Sequence, residues 1–339
     1  MMAYAPEIMF VVLLLSLALY MALDGFDIGV GALTLAERDP ERKHEMMESI
    51  ATVWDGNESW LVLAAAMLFA GFPAAFGIIL PALYVPLIVL IVALTFRGVA
   101  FEFQAQHEGY DRRWGISFAV GSLVAAFSQG VALGGLAQGV AVSGGDFAGG
   151  PLDFLSPFSL LCGALVTALY ALSGAGWLAA KTTGGLLESS RRQGRALAVV
   201  CAALIPATFA AALAAIPTFG ALLGEASATR LALVGISLAA AMAALWGAYL
   251  LLGRRDDWTP LAFGCAVTVA VVLVAVAAVY PDLAPGRLTL HESAAPESSS
   301  WLLLAFVLPL VPVTIAYNAF AYWVFRGKLH APENEQTSH

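Results

Sequence analysis

Nine long apolar runs alternate with short polar breaks along the 339-residue chain. The runs cover 7–35, 48–71, 76–103, 115–141, 155–180, 196–217, 229–252, 260–280 and 300–325. ERDPERKHEMME follows the first run, HEGYDRR the third, LESSRRQGR the fifth and GRRDDW the seventh. The alternate breaks include GGDFAGGPLD, FGALLGEAS and PDLAPGRLTLHESAAPESSS. A membrane-crossing helix needs about 20 mostly apolar residues, and every run supplies them. Helices satisfy their own backbone hydrogen bonds where no water reaches, and these runs are too long and too evenly apolar for barrel strands. The pattern predicts an all-α integral membrane protein of about nine transmembrane helices, forming a single transmembrane domain over 1–339. The segment 281–299 is expected as an external loop and 328–339 as a polar tail.

Composition agrees with a lipid solvent. Hydrophobic residues make up 60% of the chain, charged residues only 12%, and the mean hydropathy is +0.83. A soluble domain carries roughly twice that charged fraction. Charge placement then gives an orientation. Thirteen of the 16 Lys and Arg residues fall in the breaks after the first, third, fifth and seventh runs or after the ninth. The opposite breaks hold only Arg230 and Arg287, and Arg97 lies within a run. The positive-inside rule makes the basic side cytoplasmic, with the N-terminus external and the C-terminus internal. No Lys or Arg precedes Arg38, so the first run reads as a retained span and not a cleaved signal. The formal net charge of −8 gives no support for nucleic-acid binding.

The informative residues are the ionisable groups inside the runs. A charge near the bilayer centre costs at least ~2.5–3.5 kcal/mol, so it must face protein, water or a partner. The first run holds Asp24 and Asp27, the second Asp55 and Glu58, the third Arg97 and Glu102. Each of the first two acid pairs is spaced i,i+3, on one helix face. At ~1.5 Å per residue Asp27 and Asp55 lie roughly 12 Å from the inner boundary, Asp24 somewhat deeper, and Arg97 about 9 Å in. Four acids facing one arginine cannot all be comfortably ionised, so the cluster should hold an exchangeable proton. A chain of such groups opening to the cytoplasm is a route for protons into a membrane. The plainer reading is a buried ion-pair knot that fixes helix packing. Trp54 and Trp60 flank the second acid pair and read as packing or interfacial aromatics.

The remaining chemistry is sparse. His44, His107, His291, His330 and His339 all fall in breaks or the tail, where they cannot hold a haem iron within the membrane. Met9, Met21, Met67 and Met242 lie in runs, but methionine without histidine is weak support for a haem ligand. Cys162, Cys201 and Cys265 are far apart in apolar surroundings and read as small buried hydrophobes. No Rossmann fingerprint or P-loop occurs. No haem ligand and no metal site is therefore expected in this chain, and any redox cofactor would sit in another subunit.

Several strings resemble subunit II of the cytochrome bd-type quinol oxidases. DGFDIGVGAL in the first run is similar to that subunit's opening. Met46 to Gln104 is the stronger match, with VWDGNESWLVLAAAMLFAGFP and LPALYVPLIVLIVALTFRGVAFEFQ, and YPDLAPGRLTLHESAAP with AYNAFAYWVFRGKL agrees near the end. WDGNE and FRGVAFEF lean toward the cyanide-insensitive branch. The middle, about 115–260, agrees mainly in hydropathy. The resemblance implies two four-helix bundles beside one peripheral helix, and a pseudo-symmetric heterodimer with a larger subunit I. That partner would hold haem b and haem d, oxidise quinol and reduce dioxygen to water with cytoplasmic protons. Some members hold a structural quinone in this subunit, and small accessory transmembrane subunits can accompany the pair. In the family the Trp-Asp of the second span is associated with the proton entrance, here Trp54 and Asp55. Asp55, Glu58, Asp24 and Asp27 are the candidate proton pathway, with Trp54, Asn57, Arg97 and Glu102 supporting it. The rival readings are a stand-alone proton-coupled secondary transporter and a purely structural assembly subunit. The charges lie off the midplane and no inverted repeat is evident, which disfavours the transporter.

Overall fold

The computed structural model describes residues 4–107, 109–216, 228–255, 257–284 and 288–329. Among them nine helices have 18 or more residues. They are α1 (Ala5–Leu33), α3 (Trp54–Gly71), α5 (Tyr84–Ala105), α6 (Arg112–Ala137), α7 (Pro157–Lys181), α8 (Gly184–Ala215), α9 (Ala228–Leu252), α10 (Thr259–Val279) and α12 (Glu297–Val324). Eight of these are long and apolar enough to cross a membrane by length and composition. The other is α3, 18 residues long with Asp55 and Glu58 near its start. Shorter elements are α2 (Pro40–Ile50), α4 (Pro73–Ala82), α11 (Leu290–Ser293) and two hairpins, Val142–Ser143 with Asp146–Phe147 and Asp282–Ala284 with Leu288–Thr289.

Three boundaries depart from the hydropathy reading. The run 48–71 is not one helix: α2 ends at Ile50, a turn covers 51–53, and α3 starts at Trp54. Asp39 caps α2 by accepting from the Glu41 N–H at 3.0 Å, and Met46, Met47 and Ile50 bury the helix's apolar face across the end of the bundle. The run 76–103 breaks at Leu83. Pro86 has no N–H for the carbonyl of Ala82, but it is tolerated in the first turn of a new helix. LESSRRQGR, expected as a break, is helical and forms the first turns of α8. Glu, Arg, Gln and Leu are good helix formers, so the helix continues beyond the apolar stretch. The expected break FGALLGEAS, with Arg287, His330, His339 and most of the tail, lies outside the described residues.

Packing gives two groups and an outlier. Helices α1, α3, α5 and α6 form one, α7 to α10 the other, and α12 packs mainly on α1 and α3. The groups meet where α1 and α6 lie against α7, and glycine sets the separation. A Cβ on Gly29 would collide with the backbone carbonyl of Tyr170, and one on Gly174 would stand 2.5 Å from the Val30 nitrogen. Small residues let helix backbones approach where lipid supplies no hydrophobic drive.

One end of the molecule gathers the basic segments. A Cβ on Gly185 would stand 2.6 Å from Arg42, Lys43 lies 5.7 Å over the Tyr110 ring, and Arg195 packs near Gly253. Trp177 stacks on Phe26 at 4.4 Å and donates to Ser49 Oγ at 3.1 Å. Lys181, at the end of α7, donates to the carbonyls of Phe325 and Gly327, and the Leu329 N–H returns to the Lys181 carbonyl. At the opposite end His291 pairs with Glu7 at 3.1 Å, and the Ala295 N–H donates to Gly71 O.

Candidate functional site

The buried charges of α1 meet side chains from α3, α5 and α12 near the basic end. Asp24 and Asp27 are fully buried, as is Arg97 on α5. An Arg97 Nη2 to Asp24 Oδ1 contact of 2.7 Å closes the ion pair. Asp27 Oδ2 accepts from Asn57 Nδ2 at 2.7 Å, and Asn57 Oδ1 accepts from the Tyr322 hydroxyl of α12, also at 2.7 Å. The Arg97 guanidinium lies 5.9 Å from the centre of the Trp54 ring, which tilts against Phe101 at 5.4 Å. Glu58 is half-buried, within electrostatic reach of Asp24, Asp27, Arg97 and Asp55. Asp24 and Asp27 thus face one permanently charged guanidinium in protein from which bulk water is excluded, with half-buried Glu58 at the margin.

Helical rotation explains which expected members fall outside the cluster. At ~100° per residue, Asp55 points about 200° from Asn57, which faces α1. Asp55 is accordingly exposed, and Glu58 lies between those two directions. Glu102 follows Arg97 by five residues, about 140° away around α5, and it too is exposed and makes no bond to the cluster among the described residues. The depth of roughly 12 Å expected for Asp55 assumed a helix running from 48. Asp55 is instead the second residue of α3, at the helix entrance. Asp27 sits six residues before the end of α1 and Arg97 eight before the end of α5, about 9 and 12 Å along their axes. The structure therefore brings Asp24, Asp27, Trp54, Asn57, Glu58 and Arg97 together and leaves Asp55 exposed at the start of α3.

Three tyrosines, with Gln129 and Cys265, join these residues although none is an acid or an arginine. Tyr20, one turn from Asp24, is fully buried, and Tyr322 holds Asn57. Tyr170 donates to Gln129 Oε1 at 3.0 Å in a further buried polar layer. A tyrosine within an apolar run was the available signal, because its hydroxyl seeks a partner when buried. Cys265 Sγ contacts the Ala22 carbonyl at 3.2 Å, and all three cysteines are free. Among the described residues, no group of three or more His, Cys, Asp or Glu is arranged to hold a metal ion.

Helices long enough to cross a membrane, with an ionic cluster buried near one end, define a polytopic membrane protein that holds charge within its bundle. The chain belongs to the cytochrome bd terminal oxidase subunit II family, whose model matches residues 5–325. It is 28% identical to the Escherichia coli K12 cytochrome bd-I ubiquinol oxidase subunit 2, covering 93% of each chain. It is 27% identical to the cytochrome bd ubiquinol oxidase subunit 2 of Bacillus subtilis, covering 98% of this chain and 99% of that one. The bd oxidase structure from Geobacillus thermodenitrificans shares the fold, with a TM-score of 0.74 at 18% identity, over 94% of this chain and 98% of the other. These relatives are subunits of a quinol oxidase, an oxidoreductase complex.

Proposed function

We propose that this chain scaffolds a larger subunit I in a quinol oxidase and admits protons to it from the cytoplasmic side. The haems b and d belong to subunit I in this reading, where quinol is oxidised and dioxygen reduced to water. This chain contributes structure and protons. The observation that carries the reading is the convergence of carboxyls from neighbouring helices at the end where the basic segments gather. Asp55 stands exposed at the start of α3, Glu58 lies about one turn deeper, and the Asp27–Asn57 and Asp24–Arg97 contacts follow. Arg97 keeps a fixed positive charge beside Asp24, which offsets part of the negative charge left when a proton leaves Asp27 or Glu58. Trp54 covers that guanidinium from the side of α3.

The same reading takes the chain as a single multi-pass domain of a bacterial or archaeal plasma membrane. Its N-terminus is external, its C-terminus cytoplasmic, 281–299 is an external loop and 328–339 a cytoplasmic tail, on the strength of the basic asymmetry. Small accessory transmembrane subunits and a structural quinone fit the family, and no residue of this chain is assigned to either.

Asp55→Asn in the purified two-subunit complex tests the inlet. Quinol-driven oxygen consumption should fall while the reduced-minus-oxidised haem spectrum stays unchanged; full activity in that variant removes the inlet role. The full burial of the Asp24–Arg97 pair also favours a second reading, a packing and assembly role alone. In that case Asp55→Asn leaves turnover intact, and only variants of Asp24 or Arg97 lose haem incorporation. A colourless chain that transports a solute without a partner would support the transporter instead.

A further inference from the structure

A basic groove lies away from the acid cluster, between the first turns of α8 and the end of α9. It encloses about 480 Å³ and is lined by Arg191, Arg192, Arg195, Tyr249, Val199 and Glu188, among others. Arg191 and Arg195 are four residues apart and share a helix face. Among the described residues no carboxylate comes within 4 Å of any of the three guanidiniums, although Glu188 lines the same groove. Like charges stacked within about one turn repel, so an unpaired arrangement of this kind favours an anion. Arg195 is already positioned for one. Its Nη2 donates to the Tyr249 hydroxyl at 3.0 Å, its guanidinium lies 4.5 Å over the same ring, and Tyr249 stacks on Trp246 at 5.7 Å. The Arg191 Nε is buried without a hydrogen-bond partner.

The surface changes character one turn along α8. Val199 is 60% exposed, Val200 46%, and Trp246 on the facing helix 63%, giving an exposed apolar track that runs from the arginines along the outer side of the two helices. A free phosphate would use the arginines and leave the track unused. A molecule with an anionic head and an apolar tail uses both. We propose that this groove binds one anionic phospholipid, its headgroup phosphate held by Arg191, Arg192 and Arg195 and an acyl chain lying on Val199 and Trp246. Guanidinium groups match phosphate in paired hydrogen bonds, which suits arginine better than lysine here. The proposal does not depend on the proton-inlet reading, and the test below does not use oxidase turnover.

The test is lipid titration of the detergent-purified, delipidated two-subunit complex by native mass spectrometry. Phosphatidylglycerol is the probe, phosphatidylcholine the neutral control and inorganic phosphate the soluble competitor. Each arginine near the surface weighs about five-fold in affinity, so R191Q/R195Q should bind phosphatidylglycerol roughly twenty- to thirty-fold more weakly, with phosphatidylcholine unaffected. Y249F, which frees Arg195 without removing charge, should fall in between. R38Q/R112Q removes the same charge from the same end and should leave affinity unchanged. Equal affinity in wild type and R191Q/R195Q overturns the proposal, and so does an equal loss in R38Q/R112Q, which would reduce the effect to general surface potential. Saturation by inorganic phosphate with no preference for phosphatidylglycerol means a free-anion site. Cross-linking of these arginines to subunit I means a protein contact. Either result also overturns it.

Discussion

Removing one partner of the Asp24–Arg97 pair should be far worse than removing both. The two groups touch at 2.7 Å with side-chain exposures of 0% and 2%, so neither charge has water as an alternative partner. Unit charges about 4 Å apart attract by about 4 kcal/mol at an effective dielectric constant of 20. Breaking a buried pair by deleting one side costs about 3–5 kcal/mol, chiefly because the other charge is left alone. Asp24→Asn leaves Arg97, which has no neutral form in a protein, and Asp27 and Glu58 compensate it only in part. That variant should lose about 3 kcal/mol. Arg97→Gln is milder, about 1–3 kcal/mol, because a stranded carboxyl has a neutral acid form to adopt. The double variant D24N/R97Q pairs an amide with an amide and should be more stable than D24N alone. Unfolding of the purified complex by denaturing detergent in mixed micelles, run for wild type, both singles and the double, yields the coupling. Additivity within about 0.5 kcal/mol would mean the two groups do not interact, and would refute the argument.

Other outcomes follow from the same contacts. Tyr322→Phe leaves Asn57 Oδ1 buried without a donor and should cost about 1–3 kcal/mol in the same unfolding assay, with Asn57→Leu worse because it strands both the Tyr322 hydroxyl and Asp27 Oδ2. Gly29→Ala drives a Cβ into the Tyr170 carbonyl and should sharply lower the yield of assembled complex, whereas Gly77→Ala, with nothing within 4 Å of the new carbon, should be silent by the same measure. Asp111 caps α6, and hydrogen bonds from the Arg113 side chain and backbone hold its carboxyl down at about 2. Its folded value lies below the ordinary ~3.9, so its contribution is complete above about pH 4 and is lost as pH falls through about 2. The thermal midpoints of wild type and Asp111→Ala should therefore differ at neutral pH and converge in that acid window; a gap that persists at pH 2 would exclude the carboxylate as its source.

Hydropathy made the helices legible because lipid imposes one rule on every span. The apolar runs predict α1, α6, α7, α9, α10 and α12 to within a few residues. It misplaced the start of α3, because α2 lies across the bundle end with its methionines buried, and an apolar face along a bundle end scores like the beginning of a span. It missed the polar opening of α8 because hydropathy measures solvent and not helicity. At the site, charge inside a span was enough to single out Asp24, Asp27, Glu58 and Arg97. Rotation about each helix then decided which charges turn inward, and that depends on the true helix start and on the neighbour each face meets. Asp55 and Glu102 looked equivalent to the others in a linear reading, yet they lie on outward faces. The pairing of Tyr322 with Asn57 could not be anticipated, since the two are 265 positions apart and no local pattern links helices so distant in the chain.

The lysine that ends α7 ties the segment after α12 to the middle of the chain. Lys181 is 5% exposed, and the carbonyls it grips belong to Phe325 and Gly327, made long after it in the chain. Until they arrive, an ammonium ion waits between Trp177 and Trp258 with its acceptors still unmade. A chain cut short after Val324 would retain every long helix described above and still leave that cation unanswered. The few residues just beyond α12 therefore act as a latch that closes the bundle around the end of α7.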